Sequence, residues 1–133
     1  MTVSQALEKL SAYEKLMFTY NHASGLMYYD GATVAPRGSA DLRADTLGEL
    51  ARLSYALTTA PETVEMLRTL VEARDRLDPV TARKVSELWR DYEMTHRVPE
   101  EEFVAYQQLT SKADAVWHEA KERSDFALFE PYL

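Results

Sequence analysis

Positions near the N-terminus alternate three and four residues apart, which is the spacing of one face of an α-helix. They are Leu10, Tyr13, Met17, Tyr20, Ser24 and Met27, and a later set with the same spacing is Phe103, Tyr106, Thr110, Ala113, Trp117 and Ala120. Each seam is short and carries bulky aromatic residues, so the pattern predicts an antiparallel packed bundle rather than an extended coiled coil. Leu16, Phe18 and Leu26 widen the apolar face of the first helix, which should therefore touch more than one neighbour.

Signals for helix starts divide the chain into about five helices and the start of a sixth. Ser4 is predicted to cap a first helix that runs to about Tyr29, and Ser39 a second from about Ala40 to Leu57. Later starts are predicted from a capping box of Thr59 and Glu62 with Pro61, from Asp78 before Pro79, from the acids at 100–102, and from Ser124. One irregular loop is expected at 30–38. The prediction is a single all-α domain of residues 1–133.

Composition excludes several classes of protein and site. The chain has 133 residues and no cysteine, which excludes a disulfide, a thiolate zinc site and a thiol nucleophile. Its net charge of −7 opposes the phosphate backbone, so nucleic acid is not expected as a partner. The N-terminus lacks the pattern of a signal peptide, and no apolar stretch approaches the ~20 residues of a membrane span. We therefore expect a cytoplasmic protein with no membrane partner.

The segment HEAKE begins like a zinc-protease helix, in which two histidines one turn apart bind the metal. It supplies His118 and Glu119, but Glu122 stands where that motif needs its second histidine. A solvated helix face is the simpler interpretation.

The remaining polar clusters also have plain structural explanations. Glu93 and His96 have the spacing of a di-iron helix, but the chain carries no second copy of the pair, so a di-iron bundle is only a remote alternative. His22 is expected to be exposed, and the acids at 100–102 are explained by the helix dipole. We predict no catalytic residue, no metal ligand and no cofactor in these 133 residues.

Two stretches carry a more specific pattern. In WHEAKERSDFALFEPYL the informative positions are Trp117, Ala120, Asp125, Phe126, Phe129, Pro131 and Leu133. In YYDGATVAPRGSADLRADTLGEL they are Asp30, Thr33, Pro36, Gly38, Arg43, Leu47 and Leu50. The first resembles the D-F-x-x-F-x-P-x-L stretch of the carboxypeptidase Taq-type zinc metallocarboxypeptidases, and the second resembles their W-D-x-x-T-x-M-P-x-G segment and the following helix. Because order and spacing also fit, the chain is similar to the N-terminal helical portion of that family.

The resemblance implies a helical domain that covers one side of a deep cleft. In complete members a zinc or cobalt ion in that cleft serves to remove C-terminal amino acids from peptides. Their H-E-x-x-H helix and third metal ligand lie downstream, so the implied partner is a C-terminal catalytic domain that these 133 residues lack. The chain alone is then not expected to be catalytically competent.

The matching residues are expected to have structural roles. Asp30 should cap or turn the chain, Pro36 and Gly38 should set the backbone before Ser39, and Arg43 should reach back to a loop carboxylate or carbonyl. The sequence departs from the family pattern at several positions. Tyr29 replaces Trp, Gly31 and Ala32 replace polar residues, Ala35 replaces Met, and Tyr55 stands where His is common.

An alternative from another class is a stand-alone helical module for interaction or dimerisation. The last residues are unusually apolar for a terminus. We expect Phe126 and Phe129 to pack on the first and fifth helices near Trp117, with Tyr132 and Leu133 more exposed. Residual exposure of this kind would favour a homodimer.

Overall fold

The computed structural model describes the backbone of residues 1–133 and every side chain except that of Arg37. It contains α1 (Val3–Thr33), α2 (Ala40–Thr59), α3 (Pro61–Glu72), α4 (Pro79–Thr95) and α5 (Glu100–Arg123), with single 3₁₀ turns at Arg37–Ser39, Arg74–Arg76, Phe126–Leu128 and Glu130–Tyr132. Residues 1–133 include no strand, so the prediction of an all-α fold is confirmed. The expected start of a sixth helix is a pair of 3₁₀ turns. No helix in the described part of the chain has the length and apolar character needed to cross a membrane.

The caps of the first two helices differ from the predictions. Thr2, rather than Ser4, caps α1: the Gln5 backbone N–H donates to Thr2 Oγ1 (3.2 Å), and the Thr2 N–H donates to Gln5 Oε1 (3.0 Å). This reciprocal pair is a capping box. Ser39 does precede α2, but its hydroxyl donates to the Pro36 carbonyl (2.7 Å) instead of accepting from the helix. A hydroxyl can make either bond, and the 3₁₀ turn before α2 places the carbonyl within its reach.

The later helix starts follow the sequence more closely. Pro61 opens α3 as expected, but Thr59 remains in α2 and donates to the Tyr55 carbonyl, so the predicted capping box with Glu62 is wrong. Asp78 caps α4 as predicted and accepts from the backbone N–H groups of Val80 and Thr81, both at 3.1 Å. Three glutamates occupy the first turn of α5, where the helix dipole favours negative charge.

Helix α5 is terminated by Ser124, which has a left-handed backbone conformation. Ser124 has φ 53°, its N–H donates to the Lys121 carbonyl (3.2 Å), and the Asp125 N–H donates to the Ala120 carbonyl (2.9 Å). These two bonds form a Schellman motif, which usually has glycine at the left-handed position. The prediction that Ser124 caps a following helix is therefore wrong, because this residue terminates α5.

The contacts divide the chain into two compact units. The first contains Met1–Tyr20 and Leu53–Pro99, and the second contains Asn21–Arg52 and Glu100–Leu133. Helices α1 and α2 therefore contribute residues to both units. The expectation that residues 1–133 form a single domain stays a prediction.

The first unit has a continuous apolar core. Helix α3 supplies the deepest side chains, and α1 and α4 cover them; the core residues are Ala6, Leu10, Tyr13, Met66, Leu67, Leu70 and Val85. The Tyr13 hydroxyl lies 3.4 Å from Thr58 Oγ1, and burial raises the pKa of Tyr13. Thr63 closes the turn between α2 and α3 by donating to the Leu57 carbonyl (2.8 Å).

In the second unit α2 and α5 run antiparallel. Lys112 pairs with Asp41 near one end of the contact (3.5 Å), and Arg52 pairs with Glu100 at the other (2.6 Å). Between them lies Gly48, where an added Cβ would fall 2.6 Å from the Gln108 side chain. The absence of a side chain at this position lets Gln108 lie directly on α2.

The predicted seams are right in α1 and only partly right in α5. Every seam position of α1 from Leu10 to Met27 is buried or half-buried. Leu16, Phe18 and Leu26 are exposed, so they do not widen the buried face of α1 as expected. Helix α1 nevertheless shares its core with two neighbours, α3 and α4. In α5, Val104 and Ala120 are buried, whereas Tyr106 and Trp117 expose 62% and 43% of their surface. The buried face of α5 is therefore only partly the predicted seam.

We predict that the Asp78 cap makes stability depend on pH in the acid range. Hydrogen bonds from Thr81 hold the pKa of the Asp78 carboxyl below its ordinary value of 3.8. A group with a lowered folded pKa stabilises the protein above its unfolded pKa, and this contribution disappears as the pH falls. Asp78→Asn preserves a capping oxygen but does not titrate.

Thermal melts of both proteins between about pH 7 and pH 2 provide the measurement. The wild type should lose its advantage over Asp78→Asn below about pH 5. Asp75→Asn is the matched control, since it removes a neighbouring carboxylate that caps no helix. Equal pH profiles for the wild type and Asp78→Asn would contradict the prediction.

Candidate functional site

All of the sequence-predicted motif residues fall in the second unit. This set comprises Asp30, Thr33, Pro36, Gly38, Arg43, Trp117, Asp125, Phe126, Phe129 and Pro131. They lie at the ends of α1 and α5, at the start of α2, and in the segments that follow α1 and α5. The two stretches that are far apart in sequence thus belong to one compact body.

The irregular loop is shorter than predicted, because α1 continues through Asp30 to Thr33. The Asp30 carbonyl, rather than its carboxylate, turns the chain: it accepts from the N–H groups of Val34 (3.0 Å) and Ala35 (2.9 Å). Thr33 Oγ1 donates to the Tyr29 carbonyl (2.6 Å). The sequence predicted that the helix ends at about Tyr29, yet a glycine such as Gly31 can remain helical where the surrounding contacts favour it.

The corner before α2 is held by Pro36. Its carbonyl accepts from both the N–H (2.9 Å) and the hydroxyl (2.7 Å) of Ser39. Gly38 has no positive φ, and a Cβ added there would meet nothing within 4 Å. The corner therefore depends on Pro36 and Ser39, and its geometry does not require glycine at position 38.

Arg43 joins the end of α1 to the start of α2. Its Nη1 donates to Ser39 Oγ at 3.2 Å, and its guanidinium lies on the backbone of Gly31. A Cβ at Gly31 would fall 2.6 Å from Arg43 Nε and 2.7 Å from Cζ. The expected carboxylate or carbonyl partner is replaced by a hydroxyl. The guanidinium is half-buried in this position.

A cleft of about 330 Å³ opens beside Arg43, and we call it the Arg43 cleft. One side is formed by residues 31–36 and the start of α2, and the other by α5. The polar side chains from α5 are Asp114, His118, Glu119 and Glu122. The cleft therefore has a guanidinium on one wall and carboxylates on the other.

Two of these carboxylates have partners on their own helix. Arg123 Nη1 lies 2.9 Å from Glu119 Oε1, and His118 Nε2 lies 3.9 Å from Asp114 Oδ2. The first is an ion pair, and the second becomes one only when the imidazole is protonated. These pairs are partly exposed, so they orient the side chains and contribute little to stability.

The C-terminal segment forms an aromatic cluster with α5. The ring of Phe129 lies 5.1 Å from Trp117, 6.4 Å from Phe126 and 6.5 Å from Tyr132, measured between centroids. Phe129 is half-buried, as expected. Phe126 exposes 59% of its surface, whereas Tyr132 is half-buried. The prediction that Tyr132 is the more exposed of the two is therefore wrong. Successive 3₁₀ turns bring every third ring together and direct Phe126 outward.

The other motif residues of this segment act through the backbone or lie at the surface. The Asp125 N–H completes the α5 terminus, while its side chain caps nothing in the following turn. Pro131 opens the last 3₁₀ turn and is exposed. Leu133 exposes 85% of its surface, as predicted. We call Trp117, Phe126 and Phe129 the Trp117 patch.

Known proteins are similar to this chain in sequence and in fold. Residues 9–133 match the model of the Carboxypeptidase Taq (M32) metallopeptidase family. Carboxypeptidase 1 of Bacillus subtilis (strain 168) is 35% identical over 132 residues, and thermostable carboxypeptidase 1 of Thermus thermophilus is 30% identical over 135. The crystal structure of BsuCP superposes with a TM-score of 0.89 at 32% identity and covers 97% of this chain.

The chain belongs to the M32 family of metallopeptidases. It spans 26% of the length of Carboxypeptidase 1 and of the Thermus enzyme, and 26% of the BsuCP chain. The matches cover 94% and 100% of this chain for the two enzymes.

The side chains described here do not fit a metal ion. Among them, no three His, Cys, Asp or Glu residues lie close enough to hold one. His118 and Glu119 are neighbours, yet His96 lies in the other unit. The sequence prediction that HEAKE is a helix face agrees with the 53% exposure of the His118 side chain.

Sequence reasoning missed the contact between Gly31 and Arg43. One signal was available, because Gly31 departs from the polar residues of the family pattern. It also missed Asp114, which has no distinctive spacing and lines the cleft.

We predict that alanine has unequal effects at two glycines of α1. Gly25→Ala should raise the free energy of unfolding by about 0.5–1 kcal/mol, because alanine favours the helix and a Cβ there meets nothing within 4 Å. The free energy of unfolding of Gly31→Ala should be about 1 kcal/mol lower than that of Gly25→Ala, because the Arg43 guanidinium must move and its hydrogen bond is lost.

Denaturant unfolding in a double-mutant cycle tests the cause. With Arg43→Ala already present, Gly31→Ala should recover the gain seen at Gly25. A deficit that persists without the arginine would show that the contact described here is not responsible.

Proposed function

We propose that this chain is the N-terminal helical part of a metallocarboxypeptidase and forms a wall that covers the substrate cleft. The observation that carries the proposal is the coverage of the matches. Two enzymes named as carboxypeptidases match 94% and 100% of this chain, and each match occupies 26% of the enzyme. The remaining length of such an enzyme is available for the chemistry.

The separate roles of this chain and of the rest of the enzyme follow from the chemical requirements of hydrolysis. Metal-assisted attack of water on a peptide bond needs protein ligands for the metal and a general base. Zinc or cobalt would supply the Lewis acid, and the residues that hold it would belong to the rest of the enzyme. This chain would contribute a rigid wall that excludes water and orients the peptide.

Residues of the second unit support such a role. The α1–α2 corner is fixed by Pro36, Ser39 and Arg43, and antiparallel ion pairs fix α2 against α5. A wall built on helices holds its shape better than a mobile loop. The departures at Tyr29, Gly31 and Ala35 change the side chains at this corner without interrupting the helices.

A chimera tests the proposal. Residues 1–133 would replace the corresponding quarter of Carboxypeptidase 1 of Bacillus subtilis, and release of C-terminal amino acids from peptides would be measured with zinc or cobalt. The chimera should retain activity, whereas the same enzyme without this quarter should lose at least about 100-fold, as expected when positioning is lost. The 133-residue chain alone should release nothing.

Controls separate folding from function. Thermal melts would establish that both large proteins are folded. Full activity in the enzyme that lacks this quarter would refute the role of a wall. Chelator-sensitive release by the 133-residue chain alone would refute its dependence on a catalytic partner.

A second candidate function is self-association through the Trp117 patch. Trp117 and Phe126 expose 43% and 59% of their surface, and exposed apolar groups in one patch favour an interface. In a symmetric dimer each of these side chains is present in both copies, so the apolar area buried is doubled. A stand-alone dimerisation module would use this surface.

We predict that the 133-residue chain forms a dimer that depends on Phe126. Phe126→Ser should weaken the dimer at least tenfold, or about 1.4 kcal/mol, as measured by sedimentation equilibrium. Phe18→Ser is the matched control, because Phe18 is 70% exposed and lies in the first unit. A wild-type chain that stays monomeric, or equal weakening by both variants, would exclude this interface.

A further inference from the structure

The outer face of α5 is apolar and largely exposed. Tyr106, Leu109 and Trp117 expose 62%, 50% and 43% of their surface, and Thr110 between them is also exposed. Val104, on the opposite side of the helix, is buried. Apolar groups that share one exposed face mark an interface, whereas those scattered singly over a surface do not. We call this surface the α5 outer seam, and its residues are Tyr106, Leu109, Thr110, Ala113 and Trp117.

The outer seam is self-complementary when a second copy of α5 runs antiparallel to it. The heptad positions from Phe103 to Ala120 are spaced three, four, three, four and three residues apart, so the order is the same from either end. Reversing the second copy therefore places Tyr106 of one chain opposite Trp117 of the other. Each contact then occurs twice about a two-fold axis, as in an isologous dimer.

A hollow of about 410 Å³ opens beside Trp117, where Tyr106 of a second copy would arrive. Trp117 and Phe129 line it with aromatic rings whose centroids are 5.1 Å apart, and Ala113 leaves space between them and the helix. The lining also includes Asp114, whose carboxylate can accept from a phenolic hydroxyl. An aromatic side chain with a polar tip therefore matches the chemistry of this hollow.

The charges at the two ends of α5 also favour an antiparallel partner. The first turn contains three glutamates, and the last turn contains Lys121 and Arg123. Two of these groups, Glu100 and Arg123, already form ion pairs within the chain. Glu102 and Lys121 are exposed and form none among the described side chains. Antiparallel pairing brings the acidic end of each α5 beside the basic end of the other, whereas parallel pairing would bring like charges together.

We propose that two copies of this chain associate through their α5 outer seams in antiparallel orientation, with Tyr106 of each copy seated beside Trp117 of the other. The two-fold axis passes between Thr110 and Ala113. This geometry rests on the second candidate function, self-association, and names the helix, the register and the side chains that perform it. It does not depend on the role of the chain in a carboxypeptidase.

Spin labels test the register, because the chain has no cysteine of its own. Glu101→Cys and Leu109→Cys would each be labelled, and the distance between the two labels of a dimer would be measured by electron paramagnetic resonance. A rise of about 1.5 Å per residue places the labels at position 101 roughly 30 Å apart and those at position 109 within about 15 Å. Distances within about 15 Å at both positions would indicate a parallel pair and overturn the proposal.

Variants test the contacts by sedimentation equilibrium. Tyr106→Ser should weaken the dimer at least tenfold. Lys121→Glu should weaken it about threefold at low salt, and adding Glu102→Lys should restore it, because the two ends of α5 then exchange signs. Lys15→Glu in the first unit is the matched control, since it changes the net charge equally. Unchanged association of Tyr106→Ser, or equal weakening by Lys15→Glu and Lys121→Glu, would overturn the proposal.

The outcomes separate this geometry from the two candidate functions. A chain that stays monomeric would reject both the geometry and self-association, and would leave the outer seam to the rest of a longer enzyme. A dimer that Phe126→Ser weakens, but whose labels at position 109 lie far apart, would reject the α5 pairing and keep self-association. The activity of the chimera bears on neither.

Discussion

The guanidinium of Arg43 lies directly on the backbone of Gly31, and the α1–α2 corner depends on this contact. The contact exists because one residue lacks a side chain and the other has a long, planar one. Ser39 completes the arrangement: its hydroxyl donates to Pro36 and accepts from Arg43. The side chains of Ser39 and Arg43 thereby join the helix end, the loop and the helix start, and the same guanidinium forms one wall of the cleft.

A second missing side chain sets the position of α5. Gln108 lies on Gly48 of α2, and ion pairs at both ends of the contact keep the helices in antiparallel register. In this arrangement Val104 and Ala120 are buried and Trp117 lies at the surface. Asp114 and Glu119 line the cleft. One helix, α5, therefore contributes both to the polar wall of the cleft and to the exposed aromatic patch.

The sequence predicted what depends on local chemistry and periodicity. The Asp78 cap, the start of α3 at Pro61, and the buried seam of α1 follow from residue preferences within one element. The α5 seam was less predictable, because aromatic residues at heptad spacing compete with a face of small residues, and only the neighbour decides which is buried. The role of Ser124 was missed for another reason: serine accompanies helix starts far more often than left-handed helix ends.

The two tryptophans have a practical consequence. Trp89 packs against the core of the first unit, 5.3 Å from the Tyr92 ring, whereas Trp117 belongs to the second unit beside Phe129. Since the sequence contains only these two, each unit has its own intrinsic fluorophore. A single Trp→Phe replacement in either unit would leave one emission signal, so the melting of the two halves could be followed separately without an added dye.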